Sequence, residues 1–455
     1  MTRSSYGLIM RFAELLKRQI PRLDPKELKI FVQSFLDRRD DFLLLAEKEG
    51  CPLYAIDRDG LIDKSKRFRN AFAEAFPAIR VYYALKSNNH PLIASTLVKE
   101  GLGLDVSSGL ELKLALECDS RDIIFSGPGK QPDELRLAIE NSNRVTVLLD
   151  SFRDLAKLES TASQSETRMR AGVRLTTDET SIWKKFGIPL NRLKQFFEEA
   201  RECKWVDLCG LQFHISWNLS PKSQVIFIAD LGTELRRLDK KFREKIKFID
   251  IGGGFWPEEG EWLQPAATPR GILQKALSDN TINGLEHYKY SASSIGDFAE
   301  QISASLGNNL PEDINCTICF EPGRWLCNNA MHILVKVVDV KSHDIVITDG
   351  GTNAVGWERF ESDYFPVINL TRPGLKEHEC LIAGSLCTPH DLWGYSYFGD
   401  KIDEGDILLI PNQGAYTYSL KQEFIKPPPK CALLATEILV TESKKLMAKQ
   451  FNSRE

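Results

Sequence analysis

Val81-Tyr82-Tyr83-Ala84-Leu85-Lys86-Ser87-Asn88 is a β-branched and aromatic run that ends in a lysine, followed at once by turn-forming residues. Such a run reads as a buried strand. A lysine delivered at the far end of a buried strand is a candidate for covalent chemistry, because burial beside other groups lowers an amine's pKa enough for the neutral form to attack a carbonyl. The competing reading is a lysine that closes the strand and points into solvent.

Around this run, short apolar segments alternate with longer amphipathic ones. Strand patterns at 79–85, 102–106, 122–125, 144–149, 169–175, 208–214, 246–251 and 316–320 make eight, with helical stretches such as 91–100, 109–117, 132–141 and 191–203 between them. Eight βα units in one chain predict an α/β fold, a closed (β/α)8 TIM-type barrel, over 60–325. Past residue 326 the pattern changes to strands without long helices (332–340, 344–348, 380–383, 406–410, 431–440), which predicts a β-rich C-terminal domain over 326–455. Residues 51–59 read as a strand, closed by Arg58-Asp59-Gly60 and expected to join that β-domain. In residues 1–50, Leu8, Phe12, Leu15 and Leu16, then Leu28, Phe31, Val32, Phe35 and Leu36, recur at helical spacing around Pro21 and Pro25. They predict a helical N-terminal extension that covers the core.

The composition narrows the function. With 455 residues, 42% hydrophobic, 27% charged and a net charge of −4, the chain suits a soluble two-domain protein and gives no basic field for nucleic acid. No apolar run is long enough for a membrane span and no signal-peptide core forms near the start, so a cytoplasmic location is expected. Ten scattered cysteines in apolar contexts suit reduced, mostly buried thiols, and Cys316-x-x-Cys319 lacks the second pair or histidine that a metal site needs, so no metal is expected.

Barrel enzymes carry their chemistry at the C-terminal ends of the strands. Here those ends give Lys86, Asp105 with Ser107-Ser108, Gly127-Pro-Gly-Lys130, Arg174, His214, Gly252-Gly253-Gly254 and Glu321-Pro-Gly-Arg324. The three glycines let backbone amides approach an anion without Cβ interference, and Gly323-Arg324 adds an amide and a guanidinium, so a phosphorylated cofactor is expected. Glu321 needs a cationic partner, which a protonated pyridine nitrogen would supply, and His214 is either a satisfied core residue or a flat ring for stacking on a cofactor.

These residues, in this order, resemble the pyridoxal-phosphate-dependent decarboxylases of the diaminopimelate and ornithine decarboxylase family, with an alanine-racemase-like barrel. Tyr83-Ala-Leu-Lys-Ser-Asn88 is similar to the family's lysine motif, Leu104-Asp-Val-Ser-Ser-Gly109 to its next strand end, and Phe213-His-Ile215 to its ring-stacking histidine. Gly252-Gly-Gly254 with Glu321-Pro-Gly-Arg324 resembles its phosphate and pyridine-nitrogen sites. In the second domain, Gly384-Ser-Leu-Cys-Thr-Pro-His-Asp391 is similar to the cysteine motif and Gly414-Ala-Tyr416 to the late tyrosine motif. The resemblance implies pyridoxal 5'-phosphate held by Lys86 as a Schiff base, with Asp105, Arg174, His214, Ser216, Gly252, Gly253, Gly254, Glu321, Gly323, Arg324 and Tyr416 around it. It implies amino-acid decarboxylation through a quinonoid intermediate, protonated by Cys387 or by Lys86 itself. It implies a homodimer with shared active sites, in which Cys387 comes from the other subunit.

The substrate side is set by Arg324, Arg359, Cys387, Thr388, Asp391 and Tyr416, and here the chain departs from the family. Ile215-Ser216-Trp217 stands where a small apolar residue and Gly-Ser are usual, Thr388 stands where an acid commonly follows the cysteine, and Arg359 lies late after Asp349-Gly-Gly351. The substrate is therefore a diamino acid of the diaminopimelate type or an amino acid joined to a larger molecule. A racemase on the same barrel and a non-catalytic regulatory homologue are the alternatives.

Overall fold

The computed structural model describes residues 19–277, 284–356 and 359–434, together with Glu14. The expected helix around Leu8, Phe12, Leu15 and Leu16, and the expected strand beyond residue 434, lie outside these residues. The chain divides into two compact units, one formed by Asp59–Glu259 and Ala292–Asn328, the other by Met1–Arg58, Gly260–Ser291 and Asn329–Glu455.

In the first unit, eight parallel strands close into a barrel. They are β1 (Ile79–Ala84), β2 (Gly103–Val106), β3 (Ile123–Phe125), β4 (Val145–Leu149), β5 (Met169–Leu175), β6 (Val206–Phe213), β7 (Phe248–Asp250) and β8 (Thr317–Phe320). β8 pairs with both β7 and β1, which closes the ring. A helix follows each of the first seven strands, and local chemistry starts several of them. Ser108, Ser151 and Ser294 accept the amides of Glu111, Asp154 and Asp297, satisfying donors that a helix start leaves orphaned. The helix Leu193–Arg201 buries Leu193, Phe196, Phe197 and Ala200, an i, i+3, i+4, i+7 stripe that seats it on the barrel.

The barrel's interior is filled by Tyr82, Ile124, Leu148 and Cys319, with Phe248 packed against them. Two rings this large fit only because neighbouring positions carry no side chain. A Cβ on Gly210 would lie 2.0 Å from the Phe248 ring, one on Gly172 2.9 Å from it, and one on Gly103 2.5 Å from Tyr82. The sequence reading of Arg58-Asp59-Gly60 as a strand-closing turn is corrected: these residues open the helix Arg58–Ala75, which buries Leu61, Phe68 and Phe72.

The second unit is built on an eight-stranded sheet. Leu53–Ile56 lies between Met331–Ser342, antiparallel, and Lys430–Leu433, parallel. The helices Pro25–Leu36 and Arg39–Glu49 belong to this unit, where Val32, Phe35 and Phe42 pack with Leu53, Leu334 and Leu409. Residues 260–291, read from the sequence as barrel, also belong here. The amide of Leu23 bonds to the His287 carbonyl at 2.9 Å, that of Tyr364 to Trp262 at 3.0 Å and that of Gln264 to Ser362 at 2.8 Å. The sheet also contains Ile368–Asn369 and Leu392–Phe398, two strands absent from the sequence reading. No helix among the described residues is long and apolar enough to cross a membrane.

The close fit of Phe248 against Gly210 makes a prediction. Gly210→Ala should lower stability by about 1 to 3 kcal/mol, the usual cost of overpacking a core. The same change combined with Phe248→Leu should recover a large part of that loss, as read from denaturant midpoints.

Candidate active site

Lys86 sits in the single 3-10 turn Leu85–Ser87 that ends β1. The turn is fixed from both sides. Tyr83 Oη donates to the Asn88 carbonyl at 2.9 Å, and Ser87 Oγ to the Ala84 carbonyl at 2.7 Å. Gly323 packs onto Ser87 so closely that a Cβ there would stand 2.9 Å from the serine side chain. Held this way, Lys86 Nζ lies 2.6 Å from Asp105 Oδ2, at the end of β2. Asp105 is fully buried, and Ser126 Oγ, just past β3, donates to its other oxygen at 2.5 Å. Burial first and the charge of Glu321 second raise the Asp105 pKa, while Lys86 and Ser126 oppose the rise.

On the adjoining strand ends, Glu321 is 2% exposed and Gln212 Nε2 lies 3.4 and 3.3 Å from its two oxygens. His214 follows β6 and bridges two neighbours. Its Nδ1 accepts the amide of Gly253 at 3.1 Å, and its Nε2 meets Ser216 Oγ at 3.2 Å. An Nδ1 that accepts must carry a lone pair, so the network assigns a neutral ring with its proton on Nε2. The 3.6 Å approach of Nδ1 to Glu321 Oε2 is therefore not an ion pair. Burial first, then the fields of Lys86 and Arg174, push the His214 pKa down to about 3.

The glycine run is tighter than an open anion nest. Gly252 and Gly254 adopt φ of 72° and 81°. Added Cβ atoms on the three glycines would lie 2.4, 2.2 and 2.0 Å from the carbonyls of Phe213, Glu321 and Ile215. The Gly252 amide is turned onto Asp250 Oδ1 at 2.8 Å and that of Gly253 onto His214. Of the three, Gly254 is left to face an anion, with Gly323 and Arg324 one strand further on. The Arg324 guanidinium lies over the Trp256 ring at 4.5 Å and that of Arg174 over Phe186 at 4.5 Å. Lys130, also at a strand end, is a structural tie: its Nζ donates to the carbonyls of Gly127 and Leu148, each at 2.6 Å.

In the second unit, Cys387 alone of the ten cysteines is exposed. Its loop is shaped by Asp391, which the sequence reading gives to substrate. Asp391 is 3% exposed and accepts the amides of Leu386 at 2.6 Å and Thr352 at 2.7 Å, between Gly384 and Gly351, where no Cβ would fit. Its oxygens are thus engaged within the protein, and its role here is to hold the loop that presents Cys387 and Thr388. Tyr416 is half-buried at φ 57°, a conformation a bulky side chain adopts only when its surroundings impose it. Gln413 supplies part of that restraint, through its amide on Met331 and the Thr417 hydroxyl on its carbonyl. The Arg359 side chain lies outside the described residues.

Three barrel residues at the site were missed in the sequence: Ser126, Gln212 and Asp250. Gln212 and Asp250 each lie two residues before a named one, on the same inward face, so the period of two was the available signal.

The neutral state of His214 has a measurable consequence. Its folded pKa lies below the unfolded value of 6.5, so between pH 6.5 and about 3 the unfolded chain binds the extra proton. Stability then falls as pH drops through that window. His214→Gln should flatten the acid limb of the stability profile, with a wild-type loss of roughly 2 kcal/mol at pH 5 missing from the variant. Unfolding followed by circular dichroism at pH 5 and pH 7.5 checks it.

The site is chemically suited to pyridoxal phosphate. It has an amine at a strand end, a buried carboxylate across from it, a neutral flat imidazole, and a glycine cradle that any Cβ would fill. The comparisons agree. The model for the "pyridoxal-dependent decarboxylase, pyridoxal binding domain" family matches residues 61–328, more than half of the chain. The diaminopimelate decarboxylase of Methanothermobacter thermautotrophicus is 27% identical, over 87% of this chain and 89% of its own. The L-glutamyl-[BtrI acyl-carrier protein] decarboxylase of Niallia circulans is 26% identical, over 82% and 86%. The crystal structure of diaminopimelate decarboxylase from Methanocaldococcus jannaschii shares the fold, with a TM-score of 0.72 at 23% identity, covering 86% of this chain and 89% of that one. The residues of the barrel mouth and these matches lead to one conclusion: the chain belongs to the pyridoxal-phosphate-dependent amino-acid decarboxylases.

Proposed function

We propose that this enzyme removes the α-carboxylate of a diamino acid of the diaminopimelate type, with Lys86 Nζ as the covalent anchor for the cofactor's aldehyde. The observation that carries this reading is the placing of Lys86, Asp105, His214 and Glu321 at the strand ends of one barrel, with the lysine 2.6 Å from Asp105. Pyridoxal phosphate, when bound, supplies an electron sink for the pair of electrons left behind as CO2 departs. The other steps fall to side chains. Asp105 orients the Lys86 amine and takes up its proton, the neutral His214 ring stacks flat on the cofactor, and Glu321 pairs with the ring nitrogen. Gly254, Gly323, Ser216 and Arg324 hold the phosphate, with Arg324 also within the choice for a substrate carboxylate, and Arg174 adds positive field.

From the second unit, Cys387 would donate the proton that replaces the carboxylate at Cα, and Thr388, Tyr416 and Arg359 are the residues assigned to the substrate. In this reading Cys387 comes from a second copy of the chain, in a homodimer, and the enzyme works in the cytoplasm. A second substrate reading, an amino acid carried on a larger molecule, is favoured by Thr388 in place of an acid. The exposed Ile182 and Trp217, in the loops after β5 and β6, offer apolar surface for such a group, and the Niallia circulans relative is named for a carrier-linked substrate. A racemase is disfavoured because a carboxylic side chain, Glu321, set toward the ring nitrogen favours a full electron sink.

Purified protein loaded with the cofactor should carry a visible absorption band, and Lys86→Ala should abolish both the band and CO2 release. Cys387→Ala should keep the band and the fold but lower turnover by roughly 10²- to 10⁴-fold, the range for losing a positioned proton donor. Mixing the two inactive variants should restore activity if Cys387 acts across a dimer, and no recovery would rule out that arrangement. Release of CO2 from free diamino acids, compared with carrier-linked ones, decides the substrate class.

A further inference from the structure

Asp250 ends β7 inside the barrel and is completely buried. Its neighbours are fixed by strand register. Gln212 of β6 lies opposite it on one side and Cys319 of β8 on the other, and Glu321 stands two residues beyond Cys319. Asp250 Oδ1 accepts the Gly252 amide at 2.8 Å, whereas Oδ2, equally buried, meets no hydrogen-bond partner among the described residues. The charged groups that bear on it are the carboxylates of Glu321 and Asp105, and the Lys86 ammonium is already paired with Asp105. Among the described residues, no cation forms an ion pair with Asp250.

An ionised carboxylate with one empty oxygen, buried next to a second carboxylate, is among the costliest arrangements a protein interior can hold. Two adjacent acids settle this by keeping one proton between them. Of the two, Glu321 is the better anion, because the Gln212 amide lies beside both of its oxygens while Asp250 receives a single backbone N–H. We propose that Asp250 is a positioning residue that stays protonated at neutral pH and donates from Oδ2 to Glu321, keeping Glu321 ionised and aimed at the cofactor's ring nitrogen. Burial first and the charge of Glu321 second hold the Asp250 carboxyl well above the usual carboxylate range, in keeping with this assignment. The role toward the ring nitrogen rests on the site reading proposed above; the proton on Asp250 does not.

Infrared difference spectroscopy on the full chain separates the two parts. At pH 7.5, with no cofactor added, the wild-type protein should show the carbonyl stretch of a neutral carboxylic acid, and Asp250→Asn should remove it. A band unchanged by Asp250→Asn overturns the proposal. Asparagine keeps both a donor and an acceptor, so Asp250→Asn should also retain cofactor affinity within about threefold, whereas Asp250→Ala should weaken it at least tenfold and shift the visible band. Equal impairment of the two variants at unchanged melting temperature overturns the proposal as well. If Asp250→Ala does not fold, the infrared band and the asparagine variant still decide. A wild-type protein that shows the acid band yet never takes up pyridoxal phosphate would sink the site reading and leave the proton on Asp250 standing.

Discussion

A fully buried aspartate 2.6 Å from the amine of Lys86 sets the terms for everything else at the barrel mouth. Asp105 could not be buried as an anion without a partner, and removing one member of such a pair leaves an uncompensated charge. Yet the amine must lose its proton to bond a carbonyl carbon. The arrangement meets both needs. Ser126 holds the second oxygen of Asp105, so the carboxyl keeps a donor whatever Lys86 does, and in the proposed reading its raised pKa suits it to take up the lysine's proton.

The pair also constrains the backbone around it. Lys86 points correctly because its turn is wedged between Tyr83, Ala84 and Gly323, and Gly323 belongs to the same loop as Glu321 and Arg324. The glycine run packs against carbonyls of Phe213, Glu321 and Ile215, with no room for a Cβ at any of its three positions. The lysine turn, the histidine end, the glycine run and the glutamate loop thus form one closed set of contacts. A shift in any of them moves the others, which is how parts distant in sequence keep sub-ångström alignment.

The barrel was legible because two periodicities coincide in it: short apolar strands, and chemistry placed at their ends. Lys86, Asp105, His214 and Glu321 could be named from that rule alone. Gln212 and Asp250 carried only the weaker signal of the period of two, since an inward polar residue within an apolar strand has the same local pattern as any interruption. The placing of 260–291 with the β-rich unit was hidden for a different reason: its ties, Leu23 to His287 and Trp262 to Tyr364, join residues far apart in sequence, and no local period records them. Arg58-Asp59-Gly60 looked like a turn by composition, but the spacing of Leu61, Phe68 and Phe72 wins, because the burial of one apolar stripe outweighs a single weak helix former at its start. Asp391 shows the opposite case, a motif acid whose position was readable and whose partners, two backbone amides, were not.

The electrostatics of the pocket turn on keeping one charge available. His214 lies 3.6 Å from Glu321 Oε2, close enough that a protonated imidazole would take the carboxylate for itself. A glutamate so engaged would be a poor partner for a ring nitrogen, and a cationic imidazole would be a poor surface on which to stack a cationic ring. The protein prevents both with the same devices. The Gly253 amide occupies Nδ1, burial penalises the charged ring, and Lys86 and Arg174 add positive field, so His214 stays neutral through the pH range in which its unfolded counterpart would titrate. Glu321 is left with the weak amide contacts of Gln212, which orient a carboxylate without neutralising it. Of the acids Asp105, Asp250 and Glu321, the first is tied into an ion pair with Lys86 and the second is raised toward its neutral form, which in the proposed reading leaves Glu321 for the cofactor.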